Sequence, residues 1–188
     1  MSGRSWKFTV RNSDSTRIDT LTLRVFDEAW RMLQTKISWE LEERDSLSSK
    51  TSTEDAGVFD NATIPFPKRE LWMFPPRSGY LRHAELVAFP QVRFPVSQGV
   101  TIHREIKAAD RWEKLNGESV KGNVSVIGKV LYKSELLKDS CWKLQATGTS
   151  NAGTYAATYY FHPQKGFVYF LYDFKKYTCE IDLLSTNF

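Results

Sequence analysis

Gly148-Thr149-Ser150-Asn151-Ala152 comes within one residue of the GxSxG pattern that presents a nucleophilic serine. That elbow requires a strand before the serine and a helix after it, so that the hydroxyl stands exposed on a sharp turn. Here residues 154–161 form an aromatic, β-type run, and a hairpin loop accounts for the Gly, Ser and Asn. No catalytic residue is therefore assigned, and the chain reads as a non-enzyme. The three histidines, His83, His103 and His162, are far apart and form no HExxH. His103-Arg104-Glu105 alternates as a strand does, which presents no metal face, so all three read as surface or rim residues and no metal is expected. Glu40, Glu42, Glu43 and Asp45 read as a solvated strand end.

Pro75-Pro76-Arg77, followed by Tyr80 and Glu85, is the segment with most chemical content. The double proline stiffens the approach, and an arginine held there can meet a carboxylate or phosphate bidentately. Two readings stand: a structural Arg77–Glu85 pair beneath a loop, or a site for an acidic ligand group. Residues 165–172, Lys-Gly-Phe-Val-Tyr-Phe-Leu-Tyr, resemble the strand motif of RNA-recognition domains, whose aromatics stack on bases. Val168 stands where that motif has Gly or Ala, and strands flank it where helices belong. The segment reads instead as a Gly turn entering a buried aromatic strand.

The positioning elements are strands. At 188 residues the chain has the length of one domain, here 1–188, and aromatic residues make up 14% of it. Aromatic and β-branched side chains suit a pleated, half-buried surface. Leu33, Thr35, Ile37, Trp39 and Leu41 alternate with polar neighbours, the pattern of a strand with one wet face. Residues 6–10 and 18–26 flank a turn-rich segment and predict a hairpin. Residues 43–57 are polar and read as a long loop. Short strands fit between the later prolines at 70–74, 81–89 and 92–94. Residues 100–106, 123–132, 142–147, 155–161, 167–174 and 178–184 continue the series, with a short helix over 108–115 ending at Asn116-Gly117. Strands joined by short turns imply an antiparallel meander. The expected fold is all-β: a curved antiparallel meander sheet, a half-barrel or clam-like form, with one or two short helices.

The net charge of +4 is mild and the basic residues are scattered, so no nucleic-acid partner is expected. No apolar stretch approaches the length of a membrane helix. Cys141 and Cys179 have no CxxC spacing, and their phases differ, Cys141 lying opposite Trp142, Leu144 and Ala146. They read as free structural thiols.

The strand at 167–172 is apolar on both faces and needs cover twice. A second sheet, the Pro-rich segment or a bound apolar ligand could supply it. If the sheet curls, its inner face encloses a space lined by Tyr155, Tyr159, Phe167 and Tyr169, with Trp112 of the expected helix as cover and Arg77 at the rim for an acidic head group. No cofactor is expected.

Three stretches taken together resemble secreted or lipid-anchored β-rich proteins of Bacteroidetes-type bacteria. They are the strand pair over 6–26, the segment Leu71-Trp72-Met73-Phe74-Pro75-Pro76-Arg77 with Phe89-Pro90 and Phe94-Pro95, and the run from Cys141 through Tyr159-Tyr160-Phe161 to Gly166-Phe167-Val168. The last is similar to the closing strands of periplasmic half-barrels related to lipoprotein carriers. The resemblance implies a curved sheet, export and no catalysis. The first functional expectation is thus a non-enzymatic binding or structural module of the cell envelope or periplasm, with an apolar or lipid-like small molecule as its partner. Export implies a mature chain whose signal has been removed, because Met1-Ser2-Gly3-Arg4 lacks an apolar signal region. If Met1 is the native start, the alternative is a cytoplasmic protein–protein interaction module. A hydrolase, resting on Ser150 and the Arg77/Glu85 pair, is the weaker alternative.

Overall fold

In the computed structural model, the described residues are 3–30, 34–42, 58–60, 63–64, 69–77, 79–107, 119–134 and 136–188. The loop expected over 43–57 and the helix expected over 108–115, with Trp112, lie outside them.

The hairpin read from the turn at 11–17 forms as β1 (Ser5–Asn12) and β2 (Ile18–Trp30), and the alternating segment after it is β3 (Gln34–Glu42). Then come the short strands β4 (Val58–Asp60), β5 (Thr63–Ile64), β6 (Glu70–Trp72) and β7 (Gln91–Arg93). The chain ends in a long meander: β8 (Thr101–Lys107), β9 (Ser119–Lys133), β10 (Lys138–Ser150), β11 (Gly153–His162), β12 (Gly166–Asp173) and β13 (Thr178–Thr186). Ten strands make one sheet in the order β4-β3-β2-β1-β13-β12-β11-β10-β9-β8, and β5-β6-β7 make a small second one. Among the described residues every pairing is antiparallel, as the meander requires, and the edges β4 and β8 do not pair with each other.

The large sheet is strongly curled. Trp39 of β3 and Phe170 of β12 lie four strand spacings apart along the ladder, about 19 Å on a flat sheet. Their rings meet at 6.0 Å, with Phe8 of β1 touching both. Curling brings the inner residues of distant strands into one core of Phe8, Leu21, Ile37, Trp39, Leu144, Tyr159, Phe170, Tyr172 and Ile181.

The Pro-rich segment lies inside this concavity. The sheet satisfies two of its backbone carbonyls: the Trp39 indole donates to the Phe74 carbonyl at 2.9 Å, and the Tyr159 hydroxyl to the Ala88 carbonyl at 2.8 Å. The strand expected over 81–89 is instead a 3-10 helix, Gly79–Leu86. Leu81, Ala84 and Glu85 are buried at helical rather than alternating spacing, and prolines at 76 and 90 bound the segment on either side.

The second face of β12 is covered by the far end of the β9–β10 hairpin. A bulge places Ile127 as an extra residue opposite Lys143/Leu144, with Gly128 at φ +154° beside it. Bulges bend a strand and sharpen its twist. Past this one, the Tyr132 ring reaches Tyr160 and Tyr169 on the outer face, and its hydroxyl meets the Asp182 carboxylate. The Pro-rich segment thus covers one face of the doubly apolar strand, and the overhanging hairpin the other.

Candidate ligand-binding pocket

The concave face is not filled along its whole length. At the end where β1 begins and β2 and β13 finish, a pocket of about 230 Å³ remains. Leu23, Ile37, Met73 and Phe167 form its buried floor, while Trp6, Val25 and Leu71 are half-buried walls. Each strand contributes inner-face residues at period two, so the lining is apolar because the sheet alternates there. Two cations stand at the mouth, the exposed Arg4 and the half-buried Lys165. No acidic side chain lines the pocket among the described residues.

The mouth is organised. The Trp6 indole donates to the Lys165 carbonyl at 2.7 Å, which ties β1 to the β11–β12 turn. The Arg4 guanidinium and the Lys165 ammonium both lie over the Phe188 ring, at 5.5 and 5.8 Å from its centre, and Trp6 meets that ring edge-on at 4.9 Å. Asn187 holds this tail against the opening strand, accepting from the Ser5 amide at 2.8 Å and donating to the Gly3 carbonyl at 3.1 Å. An apolar cup with two cations at its lip can take an apolar chain and hold an anionic head.

The residues singled out in the sequence are dispersed. Phe167 lines this pocket. Tyr159 is fully buried deeper in the same face and packs against Phe167, Phe170 and Tyr172. Tyr155 shares that face but sits at the opposite end, half-buried, under the Lys175 ammonium at 5.5 Å. Tyr169 lies on the outer face, stacked on Tyr160 at 4.8 Å and donating to Glu180 at 3.0 Å. A bulge explains that reversal: Phe161 pairs with Phe167 but Tyr160 pairs with Tyr169, so Val168 is an extra residue and the phase flips behind it. Arg77 pairs with Glu85 at 2.7 Å, both largely buried, and lies over the Phe74 ring at 4.6 Å. It is not among the residues that line the pocket, and the structure shows the Arg77–Glu85 pair.

The remaining candidates also have structural roles. The Ser150 hydroxyl accepts from the Ala152 amide at 3.2 Å in a turn that runs directly into β11. His162 is buried, which corrects its reading as a surface or rim residue. Its Nε2 meets Asp139 at 3.1 Å, and its Nδ1 accepts from the amides of Gln164 and Lys165. That bond from His162 holds the Asp139 carboxyl below its ordinary pKa. Under the overhanging hairpin the opposite happens: burial raises the Asp182 carboxyl, and it raises the Tyr132 and Tyr169 phenols too. Cys141 and Cys179 are free and buried, with burial pushing their thiols up to about 11 and about 12.

Sequence reasoning missed Arg4, Trp6, Leu23, Val25, Leu71, Met73 and Lys165 as a set. Their inward phase was readable strand by strand, but their convergence depends on how far the sheet curls.

No protein-family model matches the chain, and no curated protein matches it. Among solved structures it is similar to a "putative exported protein with YmcC-like fold" from Bacteroides fragilis, with a TM-score of 0.48 and 10% identity over 100% of this chain and 97% of that one. It is also similar to the hypothetical lipoprotein YmcC from Escherichia coli, with a TM-score of 0.42 and 11% identity over 96% of this chain and 86% of that one. No residue role, ligand or location is carried across from either.

Proposed function

We propose that this chain is a non-enzymatic binding module of the bacterial cell envelope, holding an apolar chain with an acidic head group between Trp6 and Phe167. The observation that carries the reading is the pocket that the side chains form on the concave face. A sheet that packs Phe8, Trp39, Tyr159 and Phe170 to near-zero exposure leaves a space lined by seven apolar residues and two cations a short distance away. Interiors are normally close-packed, and an empty apolar space forfeits dispersion contacts along its whole lining. Its volume of about 230 Å³ lies below the roughly 300–1,000 Å³ of sites for drug-sized ligands, which suits one acyl chain or the end of one. Envelope residence is supported by the strand and Phe-Pro patterns that resemble exported β-rich proteins.

Native mass spectrometry of protein expressed in a Gram-negative host, with solvent extraction of the same sample, tests for the guest. The reading expects a bound fraction heavier by one acyl-chain compound, recovered in the extract as a fatty acid or lysolipid. A single apo mass together with an empty extract, persisting after incubation with decanoate, contradicts it.

A further inference from the structure

The overhanging end of the β9–β10 hairpin has two faces. Val130, Tyr132 and Cys141 share the face turned onto the sheet, where Tyr132 and Cys141 are buried. The other face carries Lys129, Leu131 and Lys133 on β9, directly opposite Trp142, Ser140 and Lys138 on β10. Leu131 is 64% exposed, the highest of any large apolar residue described, and Leu136 at the tip is 45% exposed. The Lys129 ammonium lies 5.1 Å from the centre of the half-buried Trp142 ring. Lys133 and Lys138 are exposed and form a direct cross-strand pair, a like-charge arrangement that costs stability. The one carboxylate described on this overhang, Asp139, has the other phase and is engaged by His162.

We propose that this face docks onto an anionic lipid surface. Lysines take the phosphate level, Trp142 the interface, and Leu131 and Leu136 enter the acyl boundary. A negatively charged surface offsets the Lys133–Lys138 repulsion that the free protein bears. The exposed leucines and the lack of any arginine on the face favour lipid over nucleic acid, whose binding surfaces pair cations with stacking aromatics and guanidinium groups. The pairing registers also put this overhang at the same end of the sheet as the β11–β12 turn and the start of β1, so the docked face and the pocket mouth share one end. The inference does not depend on the pocket being occupied.

The test is co-sedimentation of the full chain with vesicles of phosphatidylcholine alone and of phosphatidylcholine mixed with phosphatidylglycerol. The wild type is expected to bind the anionic vesicles, weakening with salt, and to leave the neutral ones in solution. Replacing both lysines (K133Q with K138Q) should weaken binding about thirty-fold, since each lysine near an anionic surface contributes about a fivefold effect. Its melting temperature should not fall, because the repulsion is relieved. The pair L131S and L136S should also lose binding, and L131Q alone provides a milder variant should the pair unfold. Equal binding to both vesicle types, or wild-type affinity in both the lysine and leucine variants, overturns the proposal. So does retention on DNA with no vesicle binding, which makes the face a nucleic-acid surface instead.

Discussion

The concave face of the sheet is finished in two different ways at its two ends. At the end where β10 runs out and β11 begins, the Pro-rich segment lies so close that side chains have been removed to admit it. A Cβ on Gly148 would stand 1.9 Å from the Leu86 carbonyl oxygen, and one on Gly122 would stand 2.8 Å from the Ala88 Cβ. At the other end Leu71 of the same segment is only one wall of the pocket and Met73 part of its floor, with Trp6 and Val25 as the other walls. One segment is thus a packed plug at one end and the side of a cup at the other. The contrast teaches that the hollow is local, since the same inner face supports full closure where glycine allows the backbone to approach.

The largest effect that can break this contrast is expected at the closed end. Gly148→Ala puts a methyl group into the backbone of the 3-10 helix and should cost about 3 kcal/mol, read as a lowered denaturation midpoint. A change within experimental error would mean that the segment is not held there. Tyr159→Phe is expected to cost about 1–2 kcal/mol, because it leaves the buried Ala88 carbonyl without its donor. At the open end the outcome reverses. Val25→Phe adds far more volume than the glycine change, yet it grows into free space and should shift stability by less than about 1 kcal/mol. Equal damage from Val25→Phe and Gly148→Ala would show the two ends to be alike.

The smallest effect is a difference between thiols. Both keep their protons longer in the folded state than unfolded, so the stability they carry is complete below the ordinary thiol range. It is lost as pH rises from there through about 11 and about 12, and the buried Tyr132, Tyr159 and Tyr172 add in the same direction. Ellman's reagent at pH 8 should therefore leave the native protein unlabelled and report two thiols after denaturation. At higher pH, Cys141 beneath the overhang should react before Cys179. Prompt labelling of Cys179 in native protein would place it outside the core.

Much of the fold was legible because β-strands write themselves at period two. Ile37, Trp39 and Leu41 announce an inner face, and residues 142–184 announce a meander. What stayed hidden are the places where the period breaks. The extra residue Val168 turns Tyr169 to the outer face, and the extra residue Ile127 bends the hairpin over the sheet. Neither carries a proline or an obvious motif at the point of slippage, although Gly128 marks one of them. Of the residues singled out in the sequence, Phe167 lines the pocket, while Arg4 and Lys165 at its mouth carried no signal there. Arg77 spends its charge on Glu85. Which inner residues meet depends on the curl of the whole sheet, a property summed over ten strands and local to none.

The account is tested most directly by calorimetric titration of the protein, stripped of any guest, with decanoate and with decanol. If the pocket is an apolar cup with a cationic lip, decanoate binds with one site per chain and decanol more weakly. The Arg4→Met, Lys165→Met double variant should bring the two together, and Val25→Phe should abolish both while leaving the fold intact. Equal affinities for acid and alcohol in the wild type, or decanoate binding unaffected by Val25→Phe, would contradict the assignment of this pocket.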